Sequence, residues 1–248
     1  MLTHVPRAPR RKRPSRYHHG DLKQALVAEA LKVIDEQGLA AVTTRALARR
    51  LGVSHAAPGH HFADHEALLA EVATEGFRLF ADALEQAASA ESEPGERLVA
   101  IGRAYLRFAA DHSSYFRVMF GRGFPKGYHP PDPFRRESDR AYAVLTGVVR
   151  ALVLALGGDA TPIDELAFGA WSLVHGMAML WIDGSATYAF SGRADFEATG
   201  ERVVRRSIVG LAPRANAATP PASLAPPSSP EKERRCEGSV RLGPKRSQ

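Results

Sequence analysis

Histidine is concentrated near the start of this sequence, where its ring nitrogens could bind a metal ion or an anionic partner. Seven of the ten histidines precede residue 66. His61 and His65 are four residues apart, a spacing that can ligate zinc from one face of a helix. However, the pair straddles a predicted helix junction, and no cysteine or converging acid accompanies it. We therefore expect no metal site here and interpret these histidines as solvent-facing or phosphate-contacting groups.

The acidic and nucleophilic residues do not form a recognisable catalytic set. The sequence contains no Ser-His-Asp, Cys-His, phosphate-loop or paired-carboxylate pattern. Asp132, Asp139, Asp159 and Asp164 lie near predicted helix breaks, where we expect them to act as caps and turn residues. The sequence therefore predicts a protein that is not an enzyme and that needs no cofactor.

The segment from Thr43 to Phe62 has the spacing of two short helices joined by a tight turn. In order, it offers a capping residue, an inward-facing leucine, a small residue, a second leucine, a turn glycine, an apolar plug and a second cap: Thr43, Leu47, Ala48, Leu51, Gly52, Val53 and Ser54. We expect the second helix at about His55–His61. This spacing is typical of a helix-turn-helix, although any helical hairpin can have the same pattern.

The rest of the body has helical periodicity, and strand signals are nearly absent. One helix is predicted at about Asp21–Gln37, with Gly38 as its stop, and a short one at Thr44–Leu51. Glycine- and proline-rich breaks separate longer helices, predicted at about His65–Ser89, Gly95–His112, Ser113–Phe120, Pro133–Leu156, Pro162–Asp183 and Ala194–Leu211. The predicted fold class is all-α.

The segment from about Tyr17 to Leu69 resembles the N-terminal domain of the TetR family of bacterial regulators. The resemblance ends in an HF-x-x-x-EALL signature made by His61, Phe62, Glu66, Leu68 and Leu69. In such a domain the second short helix enters the DNA major groove. The resemblance implies DNA contacts from Arg16, Tyr17, Thr43, Thr44, Arg45, Ser54, His55, Ala56, Ala57, Gly59, His60, His61 and His65.

Two positions depart from the family pattern. Position 59 is usually a phosphate-contacting tyrosine but is Gly59 here, and position 65 is often lysine but is His65 here. Residues 17–65 carry five basic and five acidic residues, so this segment is formally neutral. Residues 1–16 carry six positive charges and no acid. We therefore expect this arm to supply phosphate attraction, including from the minor groove.

A second resemblance concerns the C-terminal half. The segment AWSLVHGMAML is similar to the motif of a TetR C-terminal ligand-binding subfamily named for its Trp-His-Gly residues. The resemblance implies a pocket for a small, largely apolar molecule. The candidate lining residues are Phe108, Tyr115, Phe116, Met119, Phe120, Trp171, His175 and Met179, although most aromatic residues at helical spacing are simply core.

The helices predicted at about Pro162–Asp183 and Ala194–Leu211 correspond to the pair that forms a four-helix dimer interface in the family. The first is apolar nearly all round, as expected for a helix covered on more than one side. A helix buried within one chain has the same composition. The expectation of a homodimer therefore rests on the resemblance and on the symmetry of DNA operators.

The composition of the 248-residue chain also predicts where its domains and tails begin and end. We expect a basic disordered arm (1–16), a helix-turn-helix DNA-binding domain (17–65), a ligand-binding and dimerisation domain (66–212) and a disordered, proline-rich basic tail (213–248). No apolar run approaches the 18 or so residues of a membrane span, and the basic start lacks a signal peptide's apolar stretch. With the single cysteine, Cys236, these features predict a cytoplasmic protein without a membrane partner.

Together these features predict a ligand-responsive transcriptional regulator, specifically a repressor released from a palindromic double-stranded DNA operator by a small, largely apolar molecule. Two alternatives stay open. One is a constitutive, non-specific DNA-binding dimer dominated by its basic arm. The other is a helical ligand-binding protein with weakened DNA binding.

Overall fold

The computed structural model describes residues 19–121, 123–158, 162–186 and 188–209. Every regular element in these ranges is helical, in agreement with the predicted fold class. The α-helices are α1 (His19–Gln37), α2 (Thr44–Leu51), α3 (His65–Ser89), α4 (Pro94–Asp111), α5 (Ser113–Phe120), α6 (Asp132–Ala155), α7 (Ile163–Ile182) and α8 (Arg193–Val209). The predicted basic arm and proline-rich tail, with Arg16, Tyr17 and Asp159, lie outside the described residues.

The helix bounds lie close to those predicted from the sequence. Helices α2, α3 and α5 have the predicted bounds, and the other long helices begin and end within two residues of prediction. The Asp64 carboxylate caps α3 by accepting the N–H of Ala67 at 2.7 Å. One short element was not predicted, a 3₁₀ turn at Leu39–Ala41 between α1 and α2.

The Thr43 hydroxyl caps α2 by accepting the N–H of Ala46 at 3.1 Å. We expect Thr43→Ala to lower the free energy of unfolding by about 1 kcal/mol, because an amide of the first turn loses its partner. Urea unfolding of the full chain measures the loss. Thr44→Ala removes the neighbouring hydroxyl without removing the cap, so an equal loss in both variants would contradict the capping role.

Two hydrophobic cores form, and α5 contributes to both. The first core joins α1, α2 and the start of α3, and includes Leu26, Leu47, Phe62 and Val118. The second core joins α3 to α8 and includes Phe116 of the same short helix. Helix α5 is therefore in contact with both cores.

Helices α4 and α8 pack closely because Gly200 has no side chain. An added Cβ at Gly200 would overlap Cδ1 of Leu106, which is fully buried. Ion pairs flank this contact on the exposed side, with Arg107 to Glu197 at 2.7 Å and Arg205 to Glu96 at 2.5 Å. Helix α8 is thereby held against α4 by both shape and charge.

Helix α7 is long and apolar enough, by length and composition alone, to cross a membrane. No membrane-length segment was predicted from the sequence, because no uninterrupted apolar run reaches that length. Polar residues such as Ser172 and His175 interrupt α7 without making its average composition polar. Much of its apolar surface is uncovered, since Phe168 is 59% and Leu180 52% exposed.

Candidate nucleic-acid interface and ligand cavity

The turn after α2 has the geometry that the sequence predicted. Gly52 has a left-handed φ of 68°, and its N–H donates to the carbonyls of Ala48 and Arg49. The N–H of Val53 donates to the same Ala48 carbonyl at 3.0 Å. These bonds satisfy the last carbonyls of α2 and reverse the chain over a single glycine.

The segment after this turn differs from prediction. The expected helix at about His55–His61 is instead a turn followed by a 3₁₀ helix at Ala57–His60. In an α-helix starting at His55, the N–H of residue 58 would donate to the Ser54 carbonyl, but Pro58 has no N–H. The Ser54 carbonyl therefore accepts the N–H of Ala57, at 3.0 Å. The predicted capping role of Ser54 is also wrong, since the N-cap position is Ala56 and carries no side-chain cap.

We call Ser54 to His61 the reading segment, because it follows the turn of the helix-turn-helix. His55, Ala56, Gly59 and His60 are exposed within it. Pro58 is buried, and Ala57 packs partly against the first core. Only Pro58 and Ala57 thus anchor the centre of the segment, and the exposed side chains around them are available to a partner.

The other predicted DNA contacts surround the reading segment in the chain. Thr43, Arg45 and Ser54 are exposed, whereas Thr44, His61 and His65 are half-buried. The Nδ1 atom of His65 is buried without a hydrogen-bond partner in the described part of the chain. Across the described ranges, no cluster of three or more potential metal ligands occurs.

Arg50 joins α2 to α1 through two carboxylates. Its Nε lies 2.5 Å from Oε1 of Glu29, and its Nη1 lies 2.7 Å from Oε2 of Glu36. Glu29 is only 8% exposed. The Arg50 hydrogen bond lowers the pKa of the Glu29 carboxyl, against the opposing effect of burial. Arg50 is therefore a structural residue, which the sequence analysis did not anticipate.

We call the ion pairs of Arg50 with Glu29 and Glu36 the clamp. Because of the clamp, the charges of residues 17–65 are unevenly distributed over the surface. Arg50 and Lys32 together balance the charges of Glu29 and Glu36, since Arg50 pairs with both carboxylates and Lys32 lies 3.2 Å from Glu29. Arg45 and Arg49 are exposed and have no ion pair within the residues the structure describes. A segment that is formally neutral in sequence thus presents two free cations on α2. Arg49 was missed, although its spacing of four from Arg45 indicates a shared face.

A cavity of about 290 Å³ lies in the second core, with walls from α3 through α8. Its wall is mainly aromatic and aliphatic, as in most small-molecule sites. The aromatic members are Phe77, Phe80, Tyr105, Phe120, Tyr142 and Trp171. The other members are Leu84, Leu98, Ile101, Gly102, Ser138, Asp139, Ala141, Leu145, Ala170, Leu173, Val174, Val204 and Ser207.

Two of the eight predicted pocket residues, Phe120 and Trp171, belong to this wall. Phe108, Phe116 and Met119 are buried in the second core, and Tyr115 packs partly against both cores. Met179 packs against the second core without reaching the wall. His175 is not among the described wall residues, and its ring contacts four aromatic rings: those of Tyr105, Phe116, Phe120 and Trp171.

Trp171, Tyr105 and His175 form a chain of hydrogen bonds. The Nε1–H of Trp171 donates to the Tyr105 hydroxyl at 3.2 Å, and that hydroxyl lies 2.7 Å from Nδ1 of His175. The indole N–H can only donate, so the Tyr105 hydroxyl accepts from Trp171 and has its own hydrogen to give to Nδ1 of His175. With Nδ1 as the acceptor, the neutral His175 ring carries its proton on Nε2. Burial lowers the pKa of His175 and raises that of Tyr105, which keeps both neutral.

Helix α5 connects the cavity to the N-terminal core. Phe120 lines the cavity, and Val118 is buried in the first core. The Ser114 hydroxyl donates to the Asp35 carboxylate of α1, and Ser114 is itself buried. Helix α5 therefore contacts both the cavity and α1.

Two family models match the two parts of the chain. The model for bacterial regulatory proteins of the tetR family matches residues 26–72. The model for the tetracyclin repressor-like C-terminal domain matches residues 98–206. The first match contains α2, the turn and the reading segment, and the second contains most of the cavity wall.

Known proteins agree with these matches. The chain is 38% identical over 85 residues to the HTH-type transcriptional regulator BetI of Rhizobium meliloti (strain 1021), a match that covers 34% of this chain and 42% of BetI. It resembles a solved protein of unknown function from Rhodococcus sp. RHA1, with 29% identity, 80% and 99% coverage of the two chains and a TM-score of 0.65.

A third likeness concerns the fold alone. FadR from Bacillus subtilis, solved with stearoyl-CoA, is 14% identical, with 76% and 98% coverage of the two chains and a TM-score of 0.62. The matched family is a class of transcriptional regulators and not of enzymes. With both of its parts matched, the chain belongs to the TetR family of bacterial regulatory proteins.

Proposed function

We propose that the protein is a dimeric repressor that binds a palindromic DNA operator and releases it when a small molecule enters the cavity. The observation that carries the proposal is the capped α2, the Gly52 turn and the exposed reading segment within a TetR-family chain. Free cations at Arg45 and Arg49 suit a phosphate backbone, and the methyl groups of Ala56 and Ala57 suit thymine methyls.

The uncovered face of α7 supports a dimer. Phe168, Ser172, Gly176 and Leu180 recur every four residues and share one face. The Ser172 hydroxyl donates to the Phe168 carbonyl at 2.8 Å, so it needs no further partner. An added Cβ at Gly176 would meet nothing within 4 Å. A second copy of α7 can therefore approach closely, and the occupant we propose is that second copy.

Two helices support a coupling between ligand and DNA. Helix α3 begins at His65, with three residues between it and the reading segment, and contributes Phe77 and Phe80 to the cavity wall. Helix α5 contributes Phe120 to the wall and Ser114 to the bond with α1. A ligand that favours one position of these helices would change the separation of the reading segments in a dimer, and DNA affinity would change accordingly.

Selection of DNA from a random pool tests the proposal. We expect the full chain to enrich an inverted repeat with half-site centres about 34–36 Å apart, one helical turn of DNA. Leu180→Glu places a charge on the proposed interface and should give monomers in sedimentation and loss of the inverted repeat. Tyr188→Glu is the matched control, because Tyr188 is 91% exposed and off this face.

The same selection discriminates the alternatives. Recovery of DNA without a sequence preference would favour the constitutive, non-specific dimer. Failure to recover DNA would favour a ligand-binding protein that has lost its operator. An inverted repeat recovered equally well by Leu180→Glu would contradict the proposed interface on α7.

A further inference from the structure

Among the described residues of the cavity wall, Asp139 alone carries a charge. Asp139 lies within α6, one residue after Ser138, and not at a helix break as the sequence predicted. Asp139 is also solvent-exposed, so it lies where the cavity opens. Its carboxylate has no ion pair or hydrogen bond within the described ranges of the chain. The adjacent Arg140 does not neutralise it, because its guanidinium pairs with three other carboxylates: those of Asp82, Glu85 and Glu137.

Most hydrogen-bond donors of the wall are already used within the protein. Trp171 donates to Tyr105, and Tyr105 donates to His175. The Ser138 hydroxyl donates to the carbonyl of Arg135, and the Ser207 hydroxyl donates to the carbonyl of Val204.

The hydrogen-bonding groups of the described wall that have no partner within the protein are mostly acceptors. The hydroxyls of Ser138 and Ser207 keep lone pairs, and the Asp139 carboxylate accepts only. Among the described wall residues, Tyr142 alone has an uncommitted hydroxyl, and a hydroxyl can accept as well as donate. A ligand that only accepts hydrogen bonds, or that carries a negative charge, would therefore find few partners here and one repulsive charge.

The volume limits the apolar part of the ligand. An apolar cavity of about 150 Å³ holds one benzene ring. The cavity of about 290 Å³ is roughly twice as large, and its aromatic walls suit flat ring faces. A body of about two fused rings therefore fits.

We propose that the cavity selects hydrophobic amines, with an apolar body of about two rings inside and a protonated amine against Asp139. This inference rests on the proposed function only in taking the cavity as the effector site. The negative charge at the opening also raises the local concentration of cationic ligands and lowers that of anionic ones.

Three probes with one shared ring system test the inference by isothermal titration calorimetry on the full chain. They are 1-naphthylmethylamine, 1-naphthalenemethanol and 1-naphthoate. We expect the amine to bind about fivefold more tightly than the alcohol, as for a solvent-exposed ion pair, and the naphthoate to bind most weakly. Asp139→Asn should remove the advantage of the amine and leave the alcohol unchanged. Asp132→Asn is the control, because Asp132 lies on the same helix but outside the wall.

The outcomes separate the ligand class from the proposed function. Equal affinity for amine and alcohol, tightest binding of naphthoate, or an equal loss for amine and alcohol in Asp139→Asn would each overturn the inference. Failure of all three probes to bind would overturn the inference, because each carries the two-ring body that the cavity should hold. Tight amine binding without release of DNA would support the ligand class and contradict the proposed response.

Discussion

Gly59→Tyr should bind operator DNA about tenfold more tightly at each half-site. Gly59 is exposed, its φ is not left-handed, and an added Cβ there would meet nothing within 4 Å. The reading segment therefore accepts a side chain without rearrangement. The family resemblance places a phosphate-contacting tyrosine at this position, and a hydrogen bond to a charged group contributes about 1.5–3 kcal/mol. Fluorescence anisotropy with the selected operator measures the change.

Gly59→Phe separates the hydroxyl from the ring. It adds the same aromatic body but no hydrogen-bond donor, so it should bind about as weakly as the parent chain. The dependence of affinity on salt should stay the same in all three proteins, because neither substitution adds a charge. Equal affinities of the tyrosine and phenylalanine variants would show that the gain comes from the ring and not from a phosphate contact.

Arg50→Ala should lower the free energy of unfolding by more than removal of an unpaired surface arginine does, because it leaves the Glu29 carboxylate without its main partner. Glu29 is 8% exposed and would keep only Lys32, at 3.2 Å. The Arg50 side chain is itself 28% exposed, so the loss is smaller than for a fully buried pair. Urea unfolding of the full chain at neutral pH measures it.

Arg45→Ala is the matched control for Arg50→Ala, and we expect the opposite pattern. Arg45 is exposed and unpaired among the described residues, so its removal should change stability by no more than about 0.5 kcal/mol. It should instead reduce the slope of affinity against salt by about one. Arg50→Ala should leave that slope unchanged at temperatures where it is folded. A reduced slope in Arg50→Ala would contradict the assignment of Arg50 to the clamp.

The effect of Arg50→Ala should also depend on pH. The pKa of Glu29 in the folded chain is held below its ordinary value of 4.5, mainly by the Arg50 hydrogen bond. The stability contributed by this pair is therefore complete above the unfolded pKa and is lost as pH falls through the folded pKa. The difference between Arg50→Ala and the parent chain should be largest near neutral pH and should shrink in acid.

The helical fold could be predicted because its signals are local. Thr43, Gly52 and Asp64 define helix ends through their own side chains and backbone angles, and they do so without help from distant residues. The reading segment was predicted less well. The helix predicted at about His55–His61 includes Pro58, whose missing N–H is the one that the Ser54 carbonyl would need. Whether a helix can include Pro58 depends on the residue at which that helix begins, and hydrophobic periodicity does not determine that residue.

The cavity could be predicted only in part, because its walls come from distant parts of the chain. Trp171 was identified from a motif, but Tyr105 lies 66 residues away from it and becomes its partner only after folding. His175 and Phe116 were predicted to line the pocket because the sequence does not distinguish a residue that faces a cavity from one that packs beside it. The ring of His175 is in fact packed against Phe116, and neither residue is among the described wall residues.

The two faces of α5 have a consequence for cooperativity. Helix α5 has eight residues, and the first core contains its Val118 while the second contains its Phe116. The start of α3 supplies Leu68 and Leu69 to the first core as well. A fragment ending at residue 65 would lack all of these side chains, and loss of the second core would withdraw Val118 from the first. The helices on either side of residue 65 thus share their cores within one compact unit, and we expect them to unfold in a single cooperative transition.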